Sequence, residues 1–320
     1  MDPGVRLRCF GCGAEPEGPH PFACPNRGQG DVDHVVRREL PAFAPPDRQF
    51  NHPFLRYRHR LASWHRAQAN GWSDEEFVNG VMRLDHAVAA VDGAGFQPSP
   101  VVGLAMAATA LGVREVEALV TADDVSGSHK ARHLFGVALH LMVAGGPKRE
   151  LAIASCGNAA LAAAVVARAL EWPLRVFIPT DAPATVVARL HALQAQVQIC
   201  ERDPKVPGDP TYHAFRAAVD GGALPFCCQG PDNGLTIEGG MTLGYRWAEY
   251  WASRGQVPDH LLIQVGGGAL GSAIGAALRE AHAAGCIPRL PRIHVVQTHG
   301  AFPMKRALER LAGRGWGVAA

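Results

Sequence analysis

From residue 151 onward the sequence alternates short apolar runs with helical stretches, and few folds accommodate this alternation. The apolar runs have the length and composition of buried strands, and the stretches between them repeat apolar residues at helical spacing. Strands that alternate with helices predict a parallel sheet built from βαβ units, and therefore an α/β fold. The predicted strands are residues 151–154, 174–178, 197–200, 261–265 and 293–296.

Two of the predicted helices have clear patterns. Residues 131–143 place apolar side chains at three-and-four spacing, and residues 158–170 are rich in alanine, which lets a helix pack closely on a sheet. The chain has 320 residues, which predicts two domains at about 150 residues each. Its 36 glycines and 24 prolines predict many turns between short elements.

Composition excludes several classes of protein. Hydrophobic residues make up 48% of the chain and charged residues 19%, a balance typical of globular proteins. The formal net charge of +2 provides no broad positive field, so no nucleic-acid partner is predicted. The N-terminus lacks an apolar signal segment, and the longest wholly apolar run, residues 159–167, is too short to span a membrane. We therefore expect a cytoplasmic protein without membrane contacts.

The N-terminal region, which we call the head, has a cysteine pattern. Cys9 and Cys12 are separated by two residues and Cys24 follows, so three of the four ligands of a zinc ribbon are present. The position that would complete a second Cys-x2-Cys pair holds an arginine. His20 or His34 would have to complete a structural zinc site. The alternative is a degenerate knuckle held together by proline and glycine turns.

The segment 51–66 mixes four arginines with three aromatic residues, a composition that can stack on and neutralise single-stranded nucleic acid. Because the chain offers no wider basic surface, the favoured interpretation is different: the arginines lie on a solvated face and the rings pack inward. The residues concerned are Arg56, Arg58, Arg60, Arg66, Phe54, Tyr57 and Trp64.

Three loops carry residues suited to catalysis. The first, residues 126–130 (Ser-Gly-Ser-His-Lys), opens the helix predicted over 131–143. The positive end of a helix dipole disfavours an ammonium group, and a neutral amine is the form that attacks an aldehyde. Lys130 is therefore a candidate nucleophile, and His129 beside it is either a proton relay or a packing residue.

The second loop, residues 155–160 (Ser-Cys-Gly-Asn-Ala-Ala), follows the predicted strand 151–154 and opens a helix. Backbone amides at a helix start can bind a carboxylate, and the Asn158 amide can donate to a phenolate-like oxygen. Standing alone, the same residues could simply cap the helix.

The third loop, residues 266–271 (Gly-Gly-Gly-Ala-Leu-Gly), lies between a predicted strand and a helix over 272–284. Glycines let the backbone approach an anion and the helix start adds N–H donors, so phosphate is the predicted ligand. The loop also fits the dinucleotide fingerprint Gly-x-Gly-x-x-Gly. The acidic residue expected after the next strand is absent, however, because that strand ends at Gln297.

The order and spacing of these loops resemble those of the fold type II pyridoxal-phosphate enzymes, the tryptophan synthase β family. Asn158 follows Lys130 by 28 residues (158 − 130), and Gly266 follows Asn158 by 108 (266 − 158). The resemblance implies a two-domain, three-layer parallel-sheet fold. It also implies that Lys130 holds pyridoxal 5'-phosphate covalently and acts as the base at the substrate Cα, with Asn158 beside the ring oxygen. The implied cofactor-binding residues are Lys130, Asn158, Gly266, Gly267, Gly268 and Ala269, and the implied substrate-binding residues are Ser155, Cys156 and Gly157.

Within that family, four segments resemble those of the threonine synthases, and the likeness extends from Cys9 to about Gln297. The segments are the zinc-ribbon-like head with Cys9, Cys12 and Cys24, residues 55–58 (Leu-Arg-Tyr-Arg), residues 97–101 (Gln-Pro-Ser-Pro-Val) and residues 238–242 (Glu-Gly-Gly-Met-Thr). The implied organisation is a head and linker over 1–50 and a cofactor-binding body over 51–320, with a small mobile subdomain over about 131–225.

One departure from the family pattern concerns the C-terminal part. The family's serine or threonine at the pyridine nitrogen lies much further along the chain, whereas 52 residues (320 − 268) follow Gly268 here. We therefore expect the usual C-terminal elements to be missing. Three explanations stay open: the chain is truncated, the hydrogen bond to the pyridine nitrogen comes from elsewhere, or the protein is a defective relative.

The resulting prediction is a pyridoxal-phosphate-dependent lyase with an amino-acid substrate. The main hypothesis is a threonine synthase-like enzyme that converts O-phosphohomoserine to threonine and phosphate. The alternatives are a serine/threonine dehydratase-like ammonia-lyase and an inactive relative that binds the cofactor. A homodimer is one possible assembly.

Overall fold

The computed structural model describes residues 5–28, 33–40, 42–300 and 302–313. Strands and helices alternate through most of these ranges, as the periodicity predicts. The strands are β1 (Arg6–Cys9), β2 (Val36–Glu39), β3 (Val101–Gly103), β4 (Glu117–Leu119), β5 (Leu151–Ala154), β6 (Leu174–Pro179), β7 (Gln196–Cys200), β8 (Leu224–Pro225), β9 (His260–Gln264) and β10 (Arg292–Val296). The α-helices are α1 (Pro53–Arg56), α2 (Ala62–Ala69), α3 (Asp74–Asp92), α4 (Ala105–Leu111), α5 (Lys130–Ala144), α6 (Asn158–Leu170), α7 (Ala184–Ala192), α8 (Pro210–Asp220), α9 (Thr236–Arg254), α10 (Ala269–Ala283) and α11 (Pro303–Gly313).

A four-stranded parallel sheet lies at the centre of the larger hydrophobic core. Its strand order is β7-β6-β5-β8, and every neighbouring pair is parallel. Parallel strands need crossover connections, and right-handed crossovers place α6 and α7 on one face and α8 on the other. Val176, Phe177 and Ile178 on β6 are all buried, because helices cover both faces of the sheet. The α/β prediction is confirmed.

The alanines of α6 explain how tightly this layer packs. Ala160, Ala162, Ala163 and Ala164 are almost completely buried, and the helix contacts β5, β6, α3 and α5. Small side chains let these neighbours approach the helix axis on several sides, and the close fit maximises dispersion contacts. The start of α6 is thereby held rigidly beside the end of β5.

A second parallel pair, β9 and β10, is separated from the first sheet in the chain by the long helix α9. Leu261 and Ile263 of β9 are buried against helix α10, while Leu262 between them is 69% exposed. The predicted strands 261–265 and 293–296 correspond to β9 and β10. The division into two domains and the mobile subdomain over about 131–225 stay predictions.

The head forms a short antiparallel hairpin, β1 and β2, that docks on the body. Gly234 N donates to Phe22 O at 2.8 Å. Arg27, which stands at the position of a missing fourth cysteine, donates from Nη1 to Pro231 O at 2.6 Å and to Asp232 Oδ1 at 2.8 Å. Asp232 is 1% exposed in its side chain, so its carboxylate requires these partners. The arginine joins head and body.

The arginines of segment 51–66 do not form a solvated face, and that interpretation is wrong for Arg58 and Arg60. Both are buried. Arg58 pairs with Asp47 at 2.7 Å and with Asp74 at 2.8 Å, and Arg60 stacks 3.7 Å from the ring centroid of Phe43. A buried guanidinium must be paired or stacked. The guanidinium groups of Arg58 and Arg60 therefore interact with other residues of the chain rather than with solvent.

Among the helices of the described ranges, none combines the length and the apolar character that a membrane crossing requires.

Candidate active site

Lys130 is the first residue of α5, where the sequence places it. The preceding 3₁₀ turn, Val125–Gly127, has two residues in the left-handed region, Ser126 at φ 58° and Gly127 at φ 71°. Ser126 N donates to Asp92 Oδ2 at 2.7 Å, which helps to hold this uncommon conformation. The turn packs against α6, so the lysine loop adjoins the helix that begins at Asn158.

Arg132, two residues after Lys130, holds the start of α5 in place. Its side chain is 1% exposed and donates to both carboxylate oxygens of Asp124, at 2.8 and 2.6 Å. It also donates to Gln97 O at 2.8 Å and to Ser99 Oγ at 2.9 Å. A planar guanidinium can satisfy several acceptors at once. None of the sequence predictions includes this residue, although a charged side chain within an apolar helix was a usable signal.

Close contact between α5 and α9 explains the glycines of the Glu-Gly-Gly-Met-Thr segment. A Cβ on Gly239 would lie 1.9 Å from Arg132 O, and one on Gly136 would lie 2.9 Å from Gly239 Cα. A Cβ on Gly240 would lie 2.2 Å from Cε1 of His133. Only glycine lets the two backbones approach this closely. The segment therefore positions the helix that carries Lys130.

Two neutral histidines lie beside Lys130. Burial lowers the pKa of His129 to about 4 and that of His133 to about 3, with the Lys130 charge as a further cause. His133 Nδ1 donates to Thr236 O at 2.7 Å, so its Nε2 carries a lone pair, and this buried atom has no partner within the described ranges. Both rings are therefore uncharged at neutral pH, and the Nε2 lone pair of His133 can accept a hydrogen bond.

Polar side chains in the segment that carries Lys130 lack partners. Ser128 Oγ is buried and makes no hydrogen bond within the described ranges. No hydrogen bond or ion pair to Lys130 Nζ forms in the part of the chain that the structure describes. Buried polar atoms without partners are rare unless a ligand or water satisfies them. The surroundings of Lys130 therefore fit a polar cofactor.

The second loop joins β5 to α6 as predicted. Ser155, Cys156 and Gly157 are half-buried and Asn158 is exposed. Ser155 Oγ accepts a weak hydrogen bond from Gly157 N at 3.4 Å, and no side chain caps α6. The first amides of the helix consequently remain available to an anion.

The glycine loop leaves open space in front of the start of α10. A Cβ on Gly266 or Gly267 would meet nothing within 4 Å, and Gly268 adopts φ 104°. Gln297 Nε2 donates to Gly266 O at 2.9 Å, while its Oε1 accepts from Met304 N at 3.1 Å. Gln297, which stands where a dinucleotide-binding enzyme has an acidic residue, therefore holds the glycine loop in place. The open face and helix start fit a phosphate group.

The described residues link these loops through helix packing rather than through direct bonds. Helix α5 packs on α6 and α9, and α9 packs on α10.

A cavity of about 900 Å³ lies away from the three loops, between the head, α9 and α10. Its lining includes Arg38, Glu238 and Glu280 but none of the predicted site residues. Burial of Glu238 raises its pKa to about 7, although Arg38 pairs with it at 2.9 Å.

The predicted metal ligands lie together in the head. Cys9, Cys12 and Cys24 converge with His34. His20 is not part of this group, because its ring stacks on Phe22 at a centroid distance of 5.7 Å.

Two cysteines of the body, Cys227 and Cys228, are outside this group. Burial raises the pKa of both thiols, which therefore stay protonated at neutral pH.

Comparison with known proteins gives a consistent family. Residues 95–314 match the family model described as "Pyridoxal-phosphate dependent enzyme". The curated protein "Serine dehydratase-like" of Mus musculus is 32% identical over 169 residues, which are 52% of this chain and 46% of that protein. The chain thus spans about half the length of this relative.

Solved structures show the same fold. A threonine deaminase from T.th. has a TM-score of 0.53 and 25% identity, and the match covers 72% of this chain and 68% of that one. Maize serine racemase has a TM-score of 0.54 and 18% identity, and the match covers 73% of this chain and 65% of that one. Because the family model spans more than half of the sequence, this chain belongs to the pyridoxal-phosphate dependent enzyme family.

Proposed function

We propose that the protein is a pyridoxal-phosphate-dependent ammonia-lyase that acts on serine or threonine. The observation that carries this proposal is the 32% identity to the mouse serine dehydratase-like protein. The similarity to a threonine deaminase at 25% identity supports it. The net reaction removes the Cα proton and the β-hydroxyl group and releases a keto acid and ammonia. The threonine synthase hypothesis is not confirmed, because none of the relatives named above is a threonine synthase.

The residues of the three loops can be given roles in this reaction. When bound, pyridoxal phosphate supplies an electron sink for the substrate Cα. Lys130 would hold the cofactor and take the Cα proton, and the backbone amides of Gly266, Gly267, Gly268 and Ala269 would bind its phosphate. Asn158 would donate to the ring oxygen. The Ser155 hydroxyl and the amides of Cys156 and Gly157 would bind the substrate carboxylate, because the Ser155 amide already donates to Phe177 O.

The neighbours of Lys130 suit a lysine that alternates between holding a cofactor and moving a proton. The neutral His129 and His133 add no positive charge beside the substrate. Arg132 anchors the first turn of α5 through Asp124 and Ser99. This anchoring fixes where the amine starts, which matters because small displacements of a reacting group reduce the rate strongly.

The test compares substrates on the purified protein supplied with pyridoxal phosphate. We expect keto acid and ammonia in equal amounts from serine or threonine. We also expect a visible absorption band of the bound cofactor that Lys130→Ala abolishes and Lys148→Ala leaves unchanged. Lys148 is an exposed lysine paired with Glu171, so its variant controls for the loss of one charge.

The outcomes separate the hypotheses. Release of phosphate and threonine from O-phosphohomoserine, without keto acid from serine or threonine, would restore the threonine synthase hypothesis. A Lys130-dependent cofactor band with no turnover of any of the three substrates would favour an inactive relative. An identical band in Lys130→Ala would refute the assignment of the lysine.

A further inference from the structure

Four ligand atoms of the head converge on one point. The Sγ atoms of Cys9, Cys12 and Cys24 and a ring nitrogen of His34 all lie within 4.8 Å of one another. His34 Nδ1 is 3.5 Å from Cys9 Sγ and 3.2 Å from Cys24 Sγ, and Cys12 Sγ is 3.5 Å from Cys24 Sγ. Tetrahedral zinc, with Zn–S bonds of about 2.3 Å and Zn–N bonds of about 2.0 Å, separates its ligand atoms by roughly 3.5–3.8 Å. The head nearly matches that geometry.

The backbone of the first cysteine pair is built as a tight turn. Cys9 is the last residue of β1, and Gly13 N donates back to Cys9 O at 2.9 Å. Gly13 has φ 79°, a conformation that favours glycine. A Cβ on Gly11 would lie 2.4 Å from Asp33 O. The turn therefore lies directly against the chain that carries His34, and a larger residue at position 11 would push the two apart.

Hydrogen-bond donors point at the sulfur atoms. Asn26 N lies 3.4 Å from Cys24 Sγ, and Asn26 Nδ2 lies 3.5 Å from Cys12 Sγ. Such contacts stabilise thiolates and orient metal ligands. Three thiolates, one neutral imidazole and Zn²⁺ give the site a net charge of about −1, which these donors partly offset. Three sulfur ligands and one nitrogen in a tetrahedral arrangement favour zinc over Mg²⁺ or Ca²⁺.

We propose that Cys9, Cys12, Cys24 and His34 bind one structural zinc ion. Binding displaces the thiol protons and leaves the imidazole neutral, and the oxidation state does not change. The ion fixes the head, which in turn contacts the start of α9 through Phe22 and Gly234. A Cβ on Gly234 would lie 2.0 Å from Val36 O, so head and body meet at backbone distance. This proposal is independent of the proposed reaction.

The experiment measures metal content and ligand identity on the full chain. The protein is purified without chelators and its zinc is quantified by mass spectrometry. Zinc is then exchanged for Co²⁺, whose visible spectrum reports tetrahedral coordination by thiolates. Cys12→Ser and His34→Ala remove ligands, and His34→Cys supplies a different one. Cys286→Ser and His20→Ala are the matched controls, because Cys286 is a free exposed cysteine and His20 stacks on Phe22.

We expect about one zinc per chain in the wild type, the two controls and His34→Cys. Bound zinc should fall about tenfold or more in Cys12→Ser and His34→Ala. Recovery in His34→Cys separates loss of a ligand from loss of the fold. A folded wild-type chain without zinc, and without the Co²⁺ spectrum after Co²⁺ is added, would overturn the proposal. So would a disulfide between Cys12 and Cys24, and zinc lost from His20→Ala but kept in His34→Ala would overturn the assignment of His34.

Discussion

Replacement of Gly239 by alanine should destabilise the protein although alanine is the better helix former. In an exposed helix the change would stabilise by about 1 kcal/mol. Here the new Cβ would lie 1.9 Å from Arg132 O and 2.7 Å from the carbonyl carbon of the same residue. Both are backbone atoms, so the helices α5 and α9 must separate. Overpacking of this kind costs about 1–3 kcal/mol or more, and we expect a net loss of about 2 kcal/mol.

Gly275 in α10 provides the matched control. The nearest atom to its added Cβ would be Cδ1 of Ile293 at 3.7 Å, which is an ordinary contact. Gly275→Ala should therefore gain about 0.5–1 kcal/mol from helix propensity alone. Urea unfolding followed by tryptophan fluorescence measures both variants. If Gly239→Ala is as stable as the wild type, the close approach of the two helices in the structure is wrong.

Three further predictions concern helix α5 and the glycine loop. Arg132→Lys keeps the charge but loses the paired hydrogen bonds to Asp124, so the free energy of unfolding measured in urea should fall by about 3 kcal/mol. The exposed control Arg168→Lys should lose less than about 0.5 kcal/mol, and equal stability of the two variants would contradict the role of Arg132. The pKa of His140 falls from 6.5 to about 3 through burial. Below pH 6.5 the His140 side chain takes up a proton in the unfolded chain but not in the folded chain. The contribution of the neutral ring to the free energy of unfolding is therefore fully present above pH 6.5, and it is lost by up to about 1.4 kcal/mol per pH unit as the pH falls toward 3. His140→Gln should reduce this slope by that amount, and an unchanged slope would show that His140 is not buried in its neutral form. Finally, Gln297→Ala releases the glycine loop from α11, so cofactor affinity measured by fluorescence should fall about tenfold, and an unchanged affinity would separate Gln297 from the phosphate site.

The sequence was a good guide to the elements and to the three loops. All five predicted strands occur within one residue of their predicted bounds, and α5 and α6 begin at Lys130 and Asn158. These features are local: apolar periodicity, glycines at turns and helix starts are visible in short windows of sequence. The family assignment followed from the order of the loops, and the family match confirms it.

Contacts between distant residues were not predictable in the same way. Arg58 and Arg60 were expected on a solvated face, because nothing near them in sequence shows that Asp47, Asp74 and the ring of Phe43 will enclose them. The choice of His34 over His20 likewise depends on how the hairpin folds back. Long-range pairing of polar groups depends on the completed packing, which single-sequence patterns do not encode.

The docking of the head has a consequence for the order in which the chain folds during synthesis. The hairpin is complete once the ribosome has passed Glu39, but the partner of Arg27 is Asp232. At about 5–20 residues per second, the roughly 190 residues from Glu39 to Asp232 take about 10–40 seconds to translate. A two-stranded hairpin is only marginally stable in water. Until Asp232 emerges, Arg27 lacks its carboxylate partner, and a bound ion would hold the head together during that time.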